Sequence, residues 1–209
     1  MENKLRYVIL LDGGFIKPKY ADAYGHEPSA SEVNDLATKI RAYDDPSDSL
    51  VRIYYYDSPP LREKLVRPVS RTVLDLATTP SFAPNMTRMA ALKRMDYFAV
   101  REGRLTCHGW KLRKSGIGKA AADLTDADFA PDIQQKGVDM KIGLDIAWIS
   151  LGKIADRILV VTGDSDFIPA LKLARRNGIQ VFLFTLGHGV SPELLEHSDR
   201  LITKPADAV

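Results

Sequence analysis

Cysteine is almost absent: Cys107 stands alone among 209 residues. No disulfide can close within the chain, and nothing calls for an oxidising compartment. Long apolar runs are missing too, since none approaches the roughly 20 residues of a helical membrane span. Neither sign of charge dominates, with 29 basic residues against 27 acidic ones. That balance does not by itself announce a nucleic-acid binder, although a local patch can act where the sum does not. His26, His108, His188 and His197 show no ligand spacing, which argues against zinc. The opening "MENKLRYVILLDGG" has a short apolar run with no small-residue cleavage site after it, so it reads as a first strand. The expectation is a cytoplasmic protein with no membrane partner.

What is present is an ordinary globular composition, 45% hydrophobic and 27% charged, in a length that suits one domain over residues 1–209. "LRYVILL" (5–11), "VRIYYYD" (51–57), "DRILVVTG" (156–163) and "IQVFLFTLG" (179–187) read as strands, and "RLITK" (200–204) as a last short one. "EPSASEVNDLATKIRAY" (27–43) reads as a helix, with Ser29 and Glu32 in capping-box spacing. "GVDMKIGLDIAWISLG" (137–152), "DFIPALKLARRNG" (166–178) and the short "SPELLEHS" (191–198) read the same way. Residues 61–79 and 85–101 look helical, separated by Pro80 and Pro84. "GRLTCHGWKLRK" (103–114) alternates like an edge strand or hairpin, and 115–135 reads as a loop or lid. Strands alternating with helices imply right-handed crossovers and a mainly parallel sheet with helices on both faces. The fold class is therefore α/β, one doubly wound domain, with 62–134 as a less regular helical and loop elaboration.

In such sheets ligands sit beyond the carboxyl ends of the strands. Acids collect there: Asp12 after the first strand, Asp57 after the second, and Asp164 and Asp166 after "RILVV". Asp139 opens the helix before that strand, and Asp145 follows it at about 120° around the helix. Clustered carboxylates repel one another unless cations hold them, and ligation by oxygen alone suits Mg²⁺ or Mn²⁺. Such an ion would serve phosphodiester hydrolysis. Each acid also has a structural reading. Asp166 can cap a helix, Asp12 and Asp57 can shape turns, Asp139 can complement a helix dipole, and Asp145 can be solvated. Their convergence, more than any one of them, points to a site.

Three segments carrying these acids, "VILLDGGF" (8–15), "QKGVDMKIGLDIAW" (135–148) and "VVTGDSDFIPALKLARRNGIQV" (160–181), resemble the NYN domain family. That family is a PIN-like nuclease group, and the likeness is narrower to its bacterial LabA-like branch. "RIYYYDSPPL" (52–61) is similar to the branch's second-strand region. The resemblance implies a Rossmann-like PIN-type sheet and metal-dependent ribonuclease activity on RNA, single-stranded by expectation. It marks Asp12, Asp139, Asp164 and Asp166 as catalytic acids, with Asp12, Asp139 and Asp164 as metal ligands and Asp145 in a second line. Many relatives carry Asn three positions after the first Asp, where this chain has Phe15.

Lys111, Arg113 and Lys114 are the candidate RNA-phosphate contacts. Phe15 favours an alternative, a non-catalytic RNA-binding or regulatory module. A haloacid-dehalogenase-like phosphatase is a remote third reading. It needs acids where Gly14 and Ile168 stand.

Overall fold

The computed structural model describes residues 4–43 and 46–203. Its main sheet is built from apolar runs. β1 (Arg6–Asp12) is buried at every position after Arg6, and β8 (Arg157–Val161) at every position after Arg157. Such unbroken burial belongs to strands covered on both faces. With β2 (Ser49–Asp57), β5 (Phe98–Glu102), β9 (Gln180–Phe184) and β10 (Arg200–Ile202), they form a six-stranded sheet in the order β5-β2-β1-β8-β9-β10. Every pair in it is parallel. The chain runs outward from β1 to β5, then returns to the other side of β1 and runs outward again to β10. Strand order thus reverses between β1 and β8, where a crevice opens at the strand ends.

Because side chains alternate along a strand, β1 feeds two cores. Tyr7, Ile9 and Leu11 pack against α1 (Gly13–Tyr24), α2 (Ala30–Arg41) and α3 (Phe82–Leu92) through Ile16, Leu36 and Leu92. Val8 and Leu10 face α4 (Val138–Leu151), α5 (Ile168–Arg176) and α6 (Pro192–Glu196) through Ile142, Leu171 and Leu194. This is the expected α/β class with helices on both faces. The capping box of Ser29 and Glu32 is formed at the start of α2. Of the expected last strand, Lys204 lies outside the described residues.

The middle of the chain differs from the expectation. Residues 61–79 are not helical. They form an antiparallel pair, β3 (Lys64–Val66) with β4 (Val73–Asp75), and then a short 3₁₀ turn at Leu76–Thr78. Pro68 lacks the amide a helix needs, while Val66, Thr72 and Val73 favour extended backbone. Of the helix expected over 85–101, only the part to Leu92 exists, and it begins earlier, at Phe82; the aromatic-led "FAVRE" is β5. The expected loop over 115–135 contains most of β7 (Phe129–Lys136), paired antiparallel with β6 (Arg104–Leu112). The rest of that loop is pinned. Buried Asp128 accepts from Lys119 Nζ at 2.7 Å and from Thr125 N at 3.0 Å. The two hairpins are joined, since Trp110 Nε1 donates to Val66 O and Asp126 accepts from the amides of Val69 and Ser70.

Candidate active site

Asp12 ends β1 and caps α1. Its Oδ1 accepts from Phe15 N at 3.2 Å, and its Oδ2 accepts from Thr162 Oγ1 at 3.1 Å. The tight entry into α1 requires Gly13, where a Cβ would lie 2.6 Å from Tyr56 O. Thr162, fully buried just beyond β8, also accepts from Asp164 N at 3.2 Å. One hydroxyl therefore sets the acid of β1 and the backbone carrying the acid of β8. Asp164 in turn caps the 3₁₀ turn Ser165–Phe167, with its Oδ1 accepting from Asp166 N at 2.9 Å. The cap sought at this strand end is Asp164, so the capping reading of Asp166 gives way and its exposed carboxylate is left to solvent.

Asp139 sits in the first turn of α4. The N-cap of that helix is Gly137, which offers no side chain, so the helix N-terminus has no side-chain cap. Asp12, Asp139 and Asp164 line one cleft of ≈ 330 Å³ with Gly14, Phe15, Gln135, Gly163 and His188. Asp166 and Asp139 share the rim of the adjoining groove. Burial pushes the Asp12 carboxyl up to about 6, against the pull of the Phe15 amide and Thr162; Asp139 adds to the rise. Partial burial, then the charges of Asp164 and Asp166, raise the carboxyl of Asp139. Asp139 thus acts on Asp12 and is itself acted on by the acids that follow β8. The cleft concentrates negative charge at the sheet's switch point.

Two acids found other partners. Asp145 lines neither space: its Oδ2 accepts from Tyr56 OH and Arg101 Nε, each at 2.9 Å. Asp57 is fully buried, accepts from Lys17 Nζ at 2.7 Å, and pairs with Arg88 at 3.6 Å. Lys111 pairs with Asp132, and Arg113 Nε donates to Phe129 O. Leu105 opposite Gln135 marks the cleft end of the β6–β7 hairpin. Lys111 lies six residues beyond Leu105, or about 20 Å along the strand. Arg113 and Lys114 follow it, away from the acids.

Sequence reasoning missed Thr162, Gln135 and His188. No motif distinguishes them; the only available signal was their proximity to the acid-bearing segments. Gly163 explains one of them. A Cβ there would come within 2.7 Å of Phe15 Cε2 and 2.8 Å of His188 Cδ2, so the glycine lets the two rings close over the strand end. The rings meet edge to face at 5.7 Å.

Among the described residues no three His, Cys, Asp or Glu side chains are gathered closely enough to hold an ion as they stand. The donor set still suits a hard cation. The three carboxylates supply oxygen alone, and Mg²⁺ is commonly held by one or two carboxylates with water and substrate phosphate completing its shell.

Comparison with known proteins adds a family and a fold. The model of the NYN domain matches residues 23–204, a range that takes in Asp139, Asp164 and Asp166 and begins after Asp12. An uncharacterized protein of Methanocaldococcus jannaschii is 27% identical over 124 residues, covering 57% of this chain and 51% of that protein. The chain therefore spans about half the length of that relative. A crystal structure of a protein of unknown function from Vibrio parahaemolyticus aligns over 97% of this chain and 94% of its own, with a TM-score of 0.53 and 17% identity. That likeness is one of fold.

Proposed function

This chain belongs to the NYN domain family, a family of PIN-like nucleases, and from that premise we propose that it is a Mg²⁺- or Mn²⁺-dependent ribonuclease. The observation that carries the reading is the gathering of Asp12, Asp139 and Asp164 in one cleft at the sheet's switch point, with Asp166 in the adjoining groove. Carboxylates gathered in one cleft are costly in an apoprotein, and a divalent cation offsets that cost. Asp12, Asp139 and Asp164 would hold the ion. Such an ion supplies positive charge to the developing phosphate oxyanions and activates water.

The chain's own groups do the rest. Thr162 and the Phe15 amide hold Asp12 in place. The uncapped N-terminus of α4 presents backbone amides, a setting that favours a phosphate oxygen. Asp166, whose carboxylate caps nothing, orients the attacking water. Asp145 supports the site from behind through Tyr56 and Arg101. Single-stranded RNA is the expected substrate, and its backbone binding should weaken with salt. Lys111, Arg113 and Lys114 are assigned at most to a distal stretch of that strand.

A second reading, RNA binding without hydrolysis, draws on Phe15, whose ring stands in the cleft where many relatives place Asn. One experiment separates the two. End-labelled single-stranded RNA is incubated with the protein and Mn²⁺, with EDTA and an Asp164→Asn variant as controls, and binding is read in parallel. Hydrolysis requires metal-dependent product that the variant does not form. Retention of RNA by both proteins with no product supports the binding module.

A further inference from the structure

We infer that the chain forms a two-fold homodimer through α4. An amphipathic surface helix keeps its apolar residues on one stripe, whereas a helix that is apolar all round belongs in an interior. α4 buries Val138, Ile142, Ile146 and Ile149 against the sheet. Its other face carries Met140, Leu144, Trp148 and Leu151, which are 71%, 62%, 56% and 63% exposed. At about 100° per residue these four fall within about 80° of arc, a continuous stripe. Counting about 200 Å² for a large side chain, they expose about 500 Å² of apolar surface.

A groove of ≈ 540 Å³ adjoins the stripe, running between α4 and α5 along Gly143, Leu144, Pro169, Ala170 and Leu173. Those residues extend the apolar face toward the roughly 800 Å² per partner of a standard interface. A Cβ on Gly143 would meet nothing within 4 Å, so nothing in a single chain requires the smallest residue there. A second helix approaching closely does.

The occupant that fits is a second copy. The stripe reads nearly the same in both directions, because the pairs Met140–Leu151 and Leu144–Trp148 have centres within about half a residue of each other. Two antiparallel α4 helices therefore oppose Met140 to the partner's Leu151, and Leu144 to the partner's Trp148. Isologous contact asks for this self-complementarity. Trp148, 56% exposed, gives each copy a large aromatic anchor on the stripe. Antiparallel packing also sets the acidic N-terminus of each α4 beside the C-terminal end of the other. Asp139, which lines both the acid cleft and the groove, then lies at the edge of that interface in each copy.

The test is the mass in solution of the full chain, by light scattering over a wide range of concentration. The parent should weigh twice the 23.2 kDa of one chain. Leu144→Glu and Trp148→Glu, both at exposed positions, should dissociate it with at least tenfold weaker association and unchanged circular dichroism. A parent that stays at the mass of one chain overturns the inference, whatever else covers the stripe. So does a dimer that survives both substitutions, because another surface then forms it.

Discussion

At the scale of single residues, Asp12 and Asp166 make opposite demands. Asp12 is buried and titrates at about 6, against about 3.9 for an unfolded Asp. The fold therefore favours its protonated form. That contribution to stability is complete below about pH 4, is lost as pH rises through about 6, and leaves a full penalty above. In EDTA, Asp12→Asn should match the parent near pH 4 and exceed it by on the order of 2–3 kcal/mol at pH 7. Urea denaturation across that range measures the difference, and a flat one would remove burial of charge as the cause. Asp166 is exposed and caps nothing, so Asp166→Ser should change stability by no more than about 0.5 kcal/mol. RNA cleavage should fall at least tenfold, which is about 1.4 kcal/mol of transition-state stabilisation. Near-parental cleavage by that variant would leave a site of three carboxylates.

At the scale of elements, the end of β2 is locked to α1 and α3 by one buried acid. Asp57 holds Lys17 and Arg88, and Arg88 also donates to Pro28 O at 2.8 Å. Removing one partner of a buried pair strands the other charge, at a cost of about 3–5 kcal/mol. Asp57 keeps Lys17 at 2.7 Å, so Arg88→Met should lower stability by less, about 1–3 kcal/mol for the buried hydrogen bonds it leaves open, in chemical denaturation, whereas substitution of exposed Lys111 should do little. The elements with unbroken apolar runs, β1, β8 and β9, were legible in the sequence because burial on both faces leaves no other pattern. α4 and α5 were legible through helical spacing. α1 was not: its Gly13-Gly14 start and internal Pro18 look like a turn, and the cap that forms it is the same Asp12 that reads as a site residue. β3, β4 and β7 were hidden because short paired strands with one exposed side carry little apolar signal. Their pairing comes from contacts such as Trp110 with Val66, distant in the sequence.

At the scale of the whole molecule, the strand order turns separate acids into a site. The reversal between β1 and β8 brings Asp12 beside Thr162 and Asp164, 150 residues away in the case of the Asp12–Thr162 bond. The sequence predicted Asp12, Asp139, Asp164 and Asp166 at one edge; the cleft contains the first three, and Asp166 lines the adjoining groove. Strand position alone put Asp57 beside them, and the resemblance left Asp57 out and ranked Asp145 second; the neighbours Lys17, Arg88 and Arg101 are what divert those two acids. The same scale carries the thermal prediction. Added Mn²⁺ should raise the melting temperature of the parent more than that of Asp164→Asn, since an ion held by the native state alone stabilises it by mass action. Equal shifts in both would place the ion elsewhere.

The most direct measurement is the rate of RNA cleavage as a function of Mn²⁺ concentration, for the parent and for Asp139→Asn. Asp139 links the acid of β1 to those of β8 and lies in the described cleft without a capping role. The account predicts no cleavage by the parent in EDTA, a rate that rises and saturates with Mn²⁺, and a variant whose curve is shifted to higher metal with a lower plateau. Cleavage that persists in EDTA, or superimposable Mn²⁺ curves for the two proteins, would contradict it.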